Sequence, residues 1–109
     1  MTYKLFLDDE RFPPNDRNEW LIVRTVEEAQ NLILKIYGDG DIIKFISFDN
    51  DLGDGLKEGY DLAKWLVDSD LDGLIDIPQN FTFYVHSQNC KAVENINSIL
   101  NSYWTHKYG

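Results

Sequence analysis

The sequence predicts an α/β fold in which a mainly parallel sheet of four strands is covered by helices on both faces. Short apolar runs alternate with longer segments whose apolar residues recur at helical spacing, in the order strand, strand, helix, strand, helix, strand, helix. Three of the apolar runs also end in polar residues that can carry chemistry. In parallel sheets, ligand sites lie beyond the carboxyl ends of the strands, so this pattern supports the same fold.

Length and composition predict a single domain that spans residues 1–109, with enough apolar side chains for a real core. The formal net charge is −9, which argues against an extended nucleic-acid surface because that needs clustered lysine and arginine. There is one cysteine, and no apolar run approaches the roughly 20 residues of a membrane span. We therefore expect a cytoplasmic protein that does not bind membranes.

The four predicted strands are apolar runs at residues 3–8, 20–24, 42–48 and 81–86. The first is apolar almost throughout, which is typical of a strand covered on both faces. Pro13 and Pro14 follow it and exclude a helix between the first two strands.

Three helices complete the pattern. Thr25 and Glu28 form a capping box at the start of the first helix, and Gly38 is a natural stop. The second helix is predicted over residues 59–68 and leads into a polar loop. Asn89 is the expected cap of the third. Apolar residues at helical spacing predict the buried faces: Val26, Ala29, Leu32, Ile33 and Ile36; Leu62, Ala63, Leu66 and Val67; Ala92, Val93, Ile96, Ile99, Leu100 and Tyr103.

Four carboxylates follow two of the predicted strands. Asp8 and Asp9 end the first run, and Asp49 and Asp51 end the third. Like charges in one small cleft repel, so either some become protonated or a cation joins them. Mg²⁺ commonly binds through one or two carboxylates, water and a substrate phosphate. We therefore predict a divalent metal, Mg²⁺, held by Asp8, Asp9 and Asp49, with Asp51 as a further ligand or a base.

Polar residues after the fourth strand are suited to phosphate. Histidine is the side chain best suited to proton transfer near neutral pH, so His86 is the candidate general acid or base. Ser87 can bind a phosphate together with the free amides of the last helix, where Asn89 is either a ligand or a simple cap. Arg11 can pair with phosphate oxygens in a bidentate way or neutralise the acids beside it.

Another segment resembles a calcium loop. Residues 68–73 fit the start of an EF-hand loop, but its twelfth position is Gln79 and Pro78 precedes it, which favours an ordinary polar loop. Cys90 in the first helical turn is interpreted as a small structural residue rather than a reactive thiol.

Four motifs, in this order, resemble those of the cyclic-phosphate processing receiver domains. The resemblance extends from about residue 3 to residue 101 and rests on these residues: Leu7-Asp8-Asp9-Glu10-Arg11 with Pro13; Ser47-Phe48-Asp49-Asn50-Asp51-Leu52-Gly53; Gly59-Tyr60-Asp61; His86-Ser87-Gln88-Asn89. It implies a three-layer, receiver-like (flavodoxin-like) sandwich and a role in processing cyclic phosphates, in a phage or bacterial protein.

Ordinary response-regulator receivers resemble the chain less closely. Their acidic pair, phosphoacceptor aspartate and serine or threonine are matched by Asp8 with Asp9, by Asp49 or Asp51, and by Ser87. The helix after the first strand and the fifth strand are missing here, and Lys107 in the tail is no evident counterpart of the required lysine. Phosphotransfer signalling is therefore disfavoured.

The predicted function is metal-assisted hydrolysis of a cyclic phosphate, such as a 2′,3′-cyclic phosphate end of RNA or a cyclic nucleotide. The expected partner is a phosphate-containing small molecule or an RNA end. The alternative is a non-catalytic, degenerate receiver that binds a nucleotide or a protein. The sequence makes no prediction about oligomeric state.

Overall fold

The computed structural model describes residues 2–8, 20–48, 59–85 and 90–109, with Cys90 described in its backbone only. The elements, in chain order, are β1 (Thr2–Leu7), β2 (Trp20–Val23), α1 (Val26–Gly38), β3 (Ile42–Phe48), α2 (Gly59–Leu71), β4 (Thr82–Val85) and α3 (Cys90–Tyr108). None of the helices in these ranges is long and apolar enough to cross a membrane.

The four strands form one sheet in the order β2-β1-β3-β4, and every neighbouring pair is parallel. The connections from β2 to β3 and from β3 to β4 move across the sheet in the same direction. Right-handed crossovers therefore put α1 and α2 on one face, and α3 packs beside α2. The predicted α/β receiver-like fold, a parallel four-stranded sheet with three helices, is confirmed.

The core lies between this face of the sheet and the three helices. Alternate strand residues point into it, because successive side chains of a strand lie on opposite faces. The alternation shifts by one residue between Ile43 and Phe45 of β3, where the pairing with β1 is irregular. The buried cluster includes Leu5, Leu7, Val23, Ile43, Ile46, Phe48 and Val85 from the sheet, and Val26, Ala29, Ile33, Ile36, Leu62, Ala63, Leu66, Ile96 and Leu100 from the helices. Of the other side chains predicted to face inward, Ala92 is buried, and Leu32, Val67, Val93, Ile99 and Tyr103 pack at the edge of the cluster.

The second face of the sheet carries an aromatic cluster. The rings of Phe6 and Trp20 meet edge to face at 5.8 Å, and those of Trp20 and Phe45 at 5.6 Å. The Lys4 ammonium lies 4.4 Å from the centroid of the Trp20 ring. The prediction puts helices on this face as well, whereas the three helices within the described ranges all pack on the first face.

The capping box of α1 forms with a shift of one residue. Thr25 Oγ1 accepts from the Glu28 N–H at 3.1 Å, as predicted. Glu28 Oε2 accepts from the Arg24 N–H at 3.3 Å, one residue before the expected partner. Both bonds satisfy amide groups at the start of the helix, which otherwise lack partners within it.

Two Asp-Gly pairs end α1 and α2 in the same way. Gly40 and Gly73 have positive φ angles of 84° and 78°, a region that favours glycine. In each motif the next amide donates back to the helix, from Asp41 to the Ile36 carbonyl and from Leu74 to the Ser69 carbonyl. The residue that turns the chain after α1 is therefore Gly40, two positions beyond the predicted stop.

Two helices are longer than predicted. The helix predicted to end at residue 68 continues to Leu71, where the Gly73 turn ends it. The last residues of the chain, expected to form a tail, instead form the last turn of α3, which reaches Tyr108. Lys107 and Tyr108 both donate to the Ile77 carbonyl, so tertiary contacts hold this turn in place.

Candidate functional site

All four strands end on one row at the carboxyl edge of the sheet. Leu7 of β1 is in register with Val23 of β2 and with Phe48 of β3, and Phe48 is in register with Val85 of β4. We call Leu7, Val23, Phe48 and Val85 the strand-end row. The residue that follows each of them in the chain therefore starts from the same edge of the sheet. This is the edge at which parallel α/β sheets bind ligands.

Asp8 is the best-described candidate residue at this edge. It follows the row in β1, and only 1% of its surface is exposed. Its N–H donates to the Val23 carbonyl at 3.1 Å, and its own carbonyl accepts from Arg24 Nη1 at 2.9 Å. β2 thus fixes the backbone of Asp8. A carboxylate this deeply buried is stable only when it is paired, hydrogen-bonded or bound to a cation.

Arg24 is a residue that the sequence analysis missed. It follows Val23 in β2 as Asp8 follows Leu7 in β1, so it stands at the same edge. Its half-buried guanidinium brings a positive charge to the Asp8 backbone. The signal was available, because the rule that selected the residues after the other three strands applies equally to β2.

All three helices follow a strand that ends at this edge, and α1 begins at Val26 after β2. α2 begins at Gly59 after β3, and α3 begins at Cys90 after β4. The first turn of α3 contains no acidic residue, so no negative side chain within it opposes the partial positive charge of the helix terminus. This arrangement suits an anion.

The remaining predicted site residues lie outside the described residues. They are Asp9, Arg11, Asp49, Asp51, His86, Ser87 and Asn89. Their assignment to metal, phosphate or acid–base chemistry stays a prediction. The structure brings together the ends of the strands that precede them.

A comparison with protein families gives a match over most of the chain. Residues 3–102 match the sequence model of the cyclic-phosphate processing receiver domain. The chain belongs to this family. The predicted resemblance is thereby confirmed, together with the receiver-like fold. Comparisons with curated proteins and with solved structures found no match.

In this receiver domain, Lys107 lies at the opposite end from Asp8. Its ammonium donates to Asp70 Oδ1 and Oδ2 at 3.2 and 2.9 Å, to Asp76 Oδ1 at 2.8 Å and to the Ile77 carbonyl at 2.9 Å. These partners lie at the end of α2 and in the segment that leads to β4, away from the carboxyl ends of the strands. Lys107 is therefore unsuited to contact a phosphoryl group there.

The acidic segment after residue 68 is a structural anchor of the receiver domain rather than a calcium loop. Asp68 and Asp70 lie within α2, and Asp70 Oδ2 also accepts from the Ile77 N–H at 3.0 Å. In the part of the chain that the structure describes, no group of three or more His, Cys, Asp or Glu side chains is arranged to hold a metal ion. The calcium alternative is therefore wrong for this segment, because Asp68 and Asp70 lie in a helix rather than in a loop and Lys107 binds the Asp70 carboxylate.

The Asp70 anchor also changes acid–base equilibria. Burial lowers the pKa of Lys107, but hydrogen bonds to Asp76 and Asp70 raise it by more, so the net pKa lies above the usual value. Burial is the main cause of a raised pKa at Tyr103, and the nearby Asp70 carboxylate raises it further. The pKa of Tyr37 is also raised, because burial and the carboxylates of Asp76 and Asp70 outweigh the opposing hydrogen bond from the Ile43 N–H.

Proposed function

We propose that this receiver domain hydrolyses a cyclic phosphate with the help of a divalent metal ion at the carboxyl edge of its sheet. The observation that carries the proposal is the common row Leu7, Phe48 and Val85, followed in β1 by the buried carboxylate of Asp8. Asp49 and His86 are covalently joined to the other two row residues. Chain connectivity therefore favours a composite site formed by Asp8, Asp49 and His86.

The donor chemistry suits magnesium, which prefers oxygen ligands and retains water and phosphate in its coordination shell. The residues proposed to hold it are Asp8, Asp9 and Asp49. When bound, the ion would neutralise negative charge on the phosphate group. The burial of Asp8 supports this assignment, because a cation offsets the cost of a buried carboxylate.

The proposed hydrolysis adds water to phosphorus and breaks one of the two ester bonds of the ring. Asp51 or His86 removes a proton from the attacking water, and His86 in its protonated form can deliver one to the leaving oxygen. The product is a phosphate monoester. The phosphate is proposed to be bound by Arg11, Ser87 and Asn89, with the guanidinium of Arg24 adding positive charge at the same edge.

The substrate class that we propose is a 2′,3′-cyclic phosphate end of RNA or a cyclic nucleotide. A net charge of −9 disfavours binding along an extended nucleic acid and is compatible with a small ligand or a chain end. The proposed setting is the cytoplasm.

The test compares the purified protein with Asp49→Asn and His86→Ala variants on an RNA oligonucleotide that ends in a 2′,3′-cyclic phosphate. We expect Mg²⁺-dependent formation of the monoester by the parent protein and a loss of at least about a hundredfold in each variant. Asp39→Asn is the matched control, because Asp39 is an exposed acid after α1. Equal rates in the parent and both variants would refute the assignment.

A non-catalytic receiver that binds a nucleotide or protein is the second candidate. It is favoured by the position of Lys107, which is held by Asp70 and Asp76 away from the strand ends. Ordinary receivers require a lysine at the phosphoryl site, so signalling through phospho-aspartate is not proposed. Multiple turnovers of a cyclic phosphate by the pure protein would exclude the non-catalytic candidate. Stoichiometric binding without product would support it.

A further inference from the structure

A cavity lies between the start of β4 and the last three turns of α3, at the opposite end of β4 from the strand-end row. Its volume is about 370 Å³, within the range of small-molecule sites. It is lined by Ile77, Phe81, Thr82, Phe83, Asn97, Leu100, Asn101, Tyr103, Trp104, Lys107 and Tyr108. Five of these residues are aromatic, and none of them belongs to the predicted phosphate site.

Four of the five aromatic residues of this cavity form two pairs. Phe81 and Phe83 are nearly parallel with centroids 6.3 Å apart, and Trp104 and Tyr108 are tilted with centroids 5.0 Å apart. Aromatic faces attract cations, tryptophan most strongly. One cation already uses this property, because the Lys107 ammonium lies 5.1 Å from the centroid of the Tyr108 ring.

Lys107 is the charged residue of the described lining, and its carboxylate partners Asp70 and Asp76 lie beside the lining rather than in it. The Lys107 ammonium is shared between two carboxylates, those of Asp70 and Asp76, which leaves one negative charge in excess among these three groups. The Asp76 side chain is 88% exposed and so presents this charge to solvent. Lys107 already donates to Asp70, Asp76 and the Ile77 carbonyl, so it is poorly placed to attract an anion.

We propose that the cavity between β4 and α3 binds an organic cation whose charged group carries apolar substituents. Its charge complements the excess carboxylate, and its substituents contact the rings of Phe83, Trp104 and Tyr108. A bare metal ion does not suit this lining, which contains no carboxylate, because hard cations require several oxygen ligands. This proposal is independent of the proposed hydrolysis.

The experiment is a titration of the full chain, followed by the indole N–H signals in two-dimensional NMR. The probe is para-hydroxyphenyl-trimethylammonium, and its neutral twin of the same shape is para-tert-butylphenol. We expect a saturable shift of the Trp104 indole, with Trp20 and Trp65 unchanged as internal controls. The neutral twin should bind about tenfold more weakly, because it lacks the electrostatic attraction between a cation and the faces of the rings.

Variants separate the contribution of the Trp104 ring from that of the Asp76 charge. Trp104→Ala should abolish binding, followed through the other shifted amides, and Trp104→Phe should retain part of it. Tyr84→Ala is the matched control, because Tyr84 lies on β4 outside the lining and is 61% exposed. Asp76→Asn should weaken the cation several-fold without affecting the neutral twin, whereas Asp72→Asn should leave both unchanged.

The proposal is overturned by equal affinities for the two probes, by unchanged binding in Trp104→Ala, or by shifts confined to Trp20 or Trp65. It is also overturned if dilution of the protein alone reproduces the Trp104 shift, because the cavity would then be covered by a second copy of the chain.

Discussion

Lys107, near the end of α3, contacts the carboxylate of Asp70 at the end of α2 at an Nζ–Oδ2 distance of 2.9 Å. The Asp70 side chain is 6% exposed, so this ion pair is largely removed from water. It joins two helices that begin at the candidate phosphate edge and end together at the other edge of the sheet. The contact explains why α3 stays helical to Tyr108 and why its lysine does not reach the strand ends.

Replacing Lys107 with methionine should destabilise the fold. Lys107→Met keeps an apolar side chain but removes the ammonium that pairs with the buried Asp70 carboxylate. The loss of this partner should lower the free energy of unfolding by about 2–3 kcal/mol. Urea unfolding should show this as a lower midpoint with an unchanged slope. Lys64→Met is the control on an exposed position of α2, expected within about 0.5 kcal/mol of the parent. Similar midpoints for the two variants would show that the ion pair between Lys107 and Asp70 does not stabilise the fold.

Stability should fall at alkaline pH. The pKa values of Lys107, Tyr37 and Tyr103 are raised above ordinary values of 10.5, 10.0 and 10.0 in the folded protein. The folded state therefore keeps protons that the unfolded state has already lost. The contribution of these groups is fully present below about pH 10 and is lost as the pH rises through the raised pKa values.

Urea unfolding at a series of alkaline pH values measures this effect, and Lys107→Met should decline less steeply than the parent. A stability that rises above pH 10, or parallel curves for parent and variant, would contradict the assignment of these pKa shifts.

Magnesium should stabilise the parent protein through Asp8. A ligand that binds only the folded state at a hundred times its dissociation constant contributes about 2.7 kcal/mol. We expect Mg²⁺ to raise the melting temperature of the parent and of Asp39→Asn, and to leave that of Asp8→Asn unchanged. The quantity compared is the change caused by Mg²⁺, so any direct effect of the substitution cancels. An equal shift in Asp8→Asn would remove Asp8 from the proposed ligands.

Phe48 should be among the costliest positions to truncate. It is fully buried in a central strand, and its ring meets Phe83 edge to face at 6.2 Å. Phe48→Ala should lower the free energy of unfolding by about 3–5 kcal/mol through lost burial and a cavity. Tyr84→Ala removes an aromatic side chain that is 61% exposed and should cost less than about 1 kcal/mol. Urea unfolding of both variants provides the comparison, and similar losses would contradict the assignment of Phe48 to the core.

Local patterns predicted most of the fold. Thr25 and Glu28 mark the start of α1 because a capping hydroxyl and its amide partner are close in sequence. The run from Ile42 to Phe48 is a strand as expected, since a continuous apolar run is typical of a central parallel strand. The Asp39-Gly40 and Asp72-Gly73 turns were not predicted, because which glycine takes a positive φ depends on where the helix ends.

The candidate site was predicted through the same short-range rule, in which polar residues follow the strands. Asp8 is at the expected edge and is buried there. Arg24 was missed although the rule covers it. Asp70 and Lys107 could not be paired from sequence, because 37 positions separate them and no local spacing relates them.

The sequence by itself determined the order of strands and helices, the parallel sheet and the family, because these depend on periodicity, turn residues and motifs in a fixed order. Tertiary structure alone decided that the four strands end on one row, that three helices share one face, and that Lys107 lies at the end opposite Asp8. The physical reason is that strand register and ion pairing between helices arise from packing of segments distant in sequence. An apolar pattern shows that a face will be buried but does not identify what will cover it.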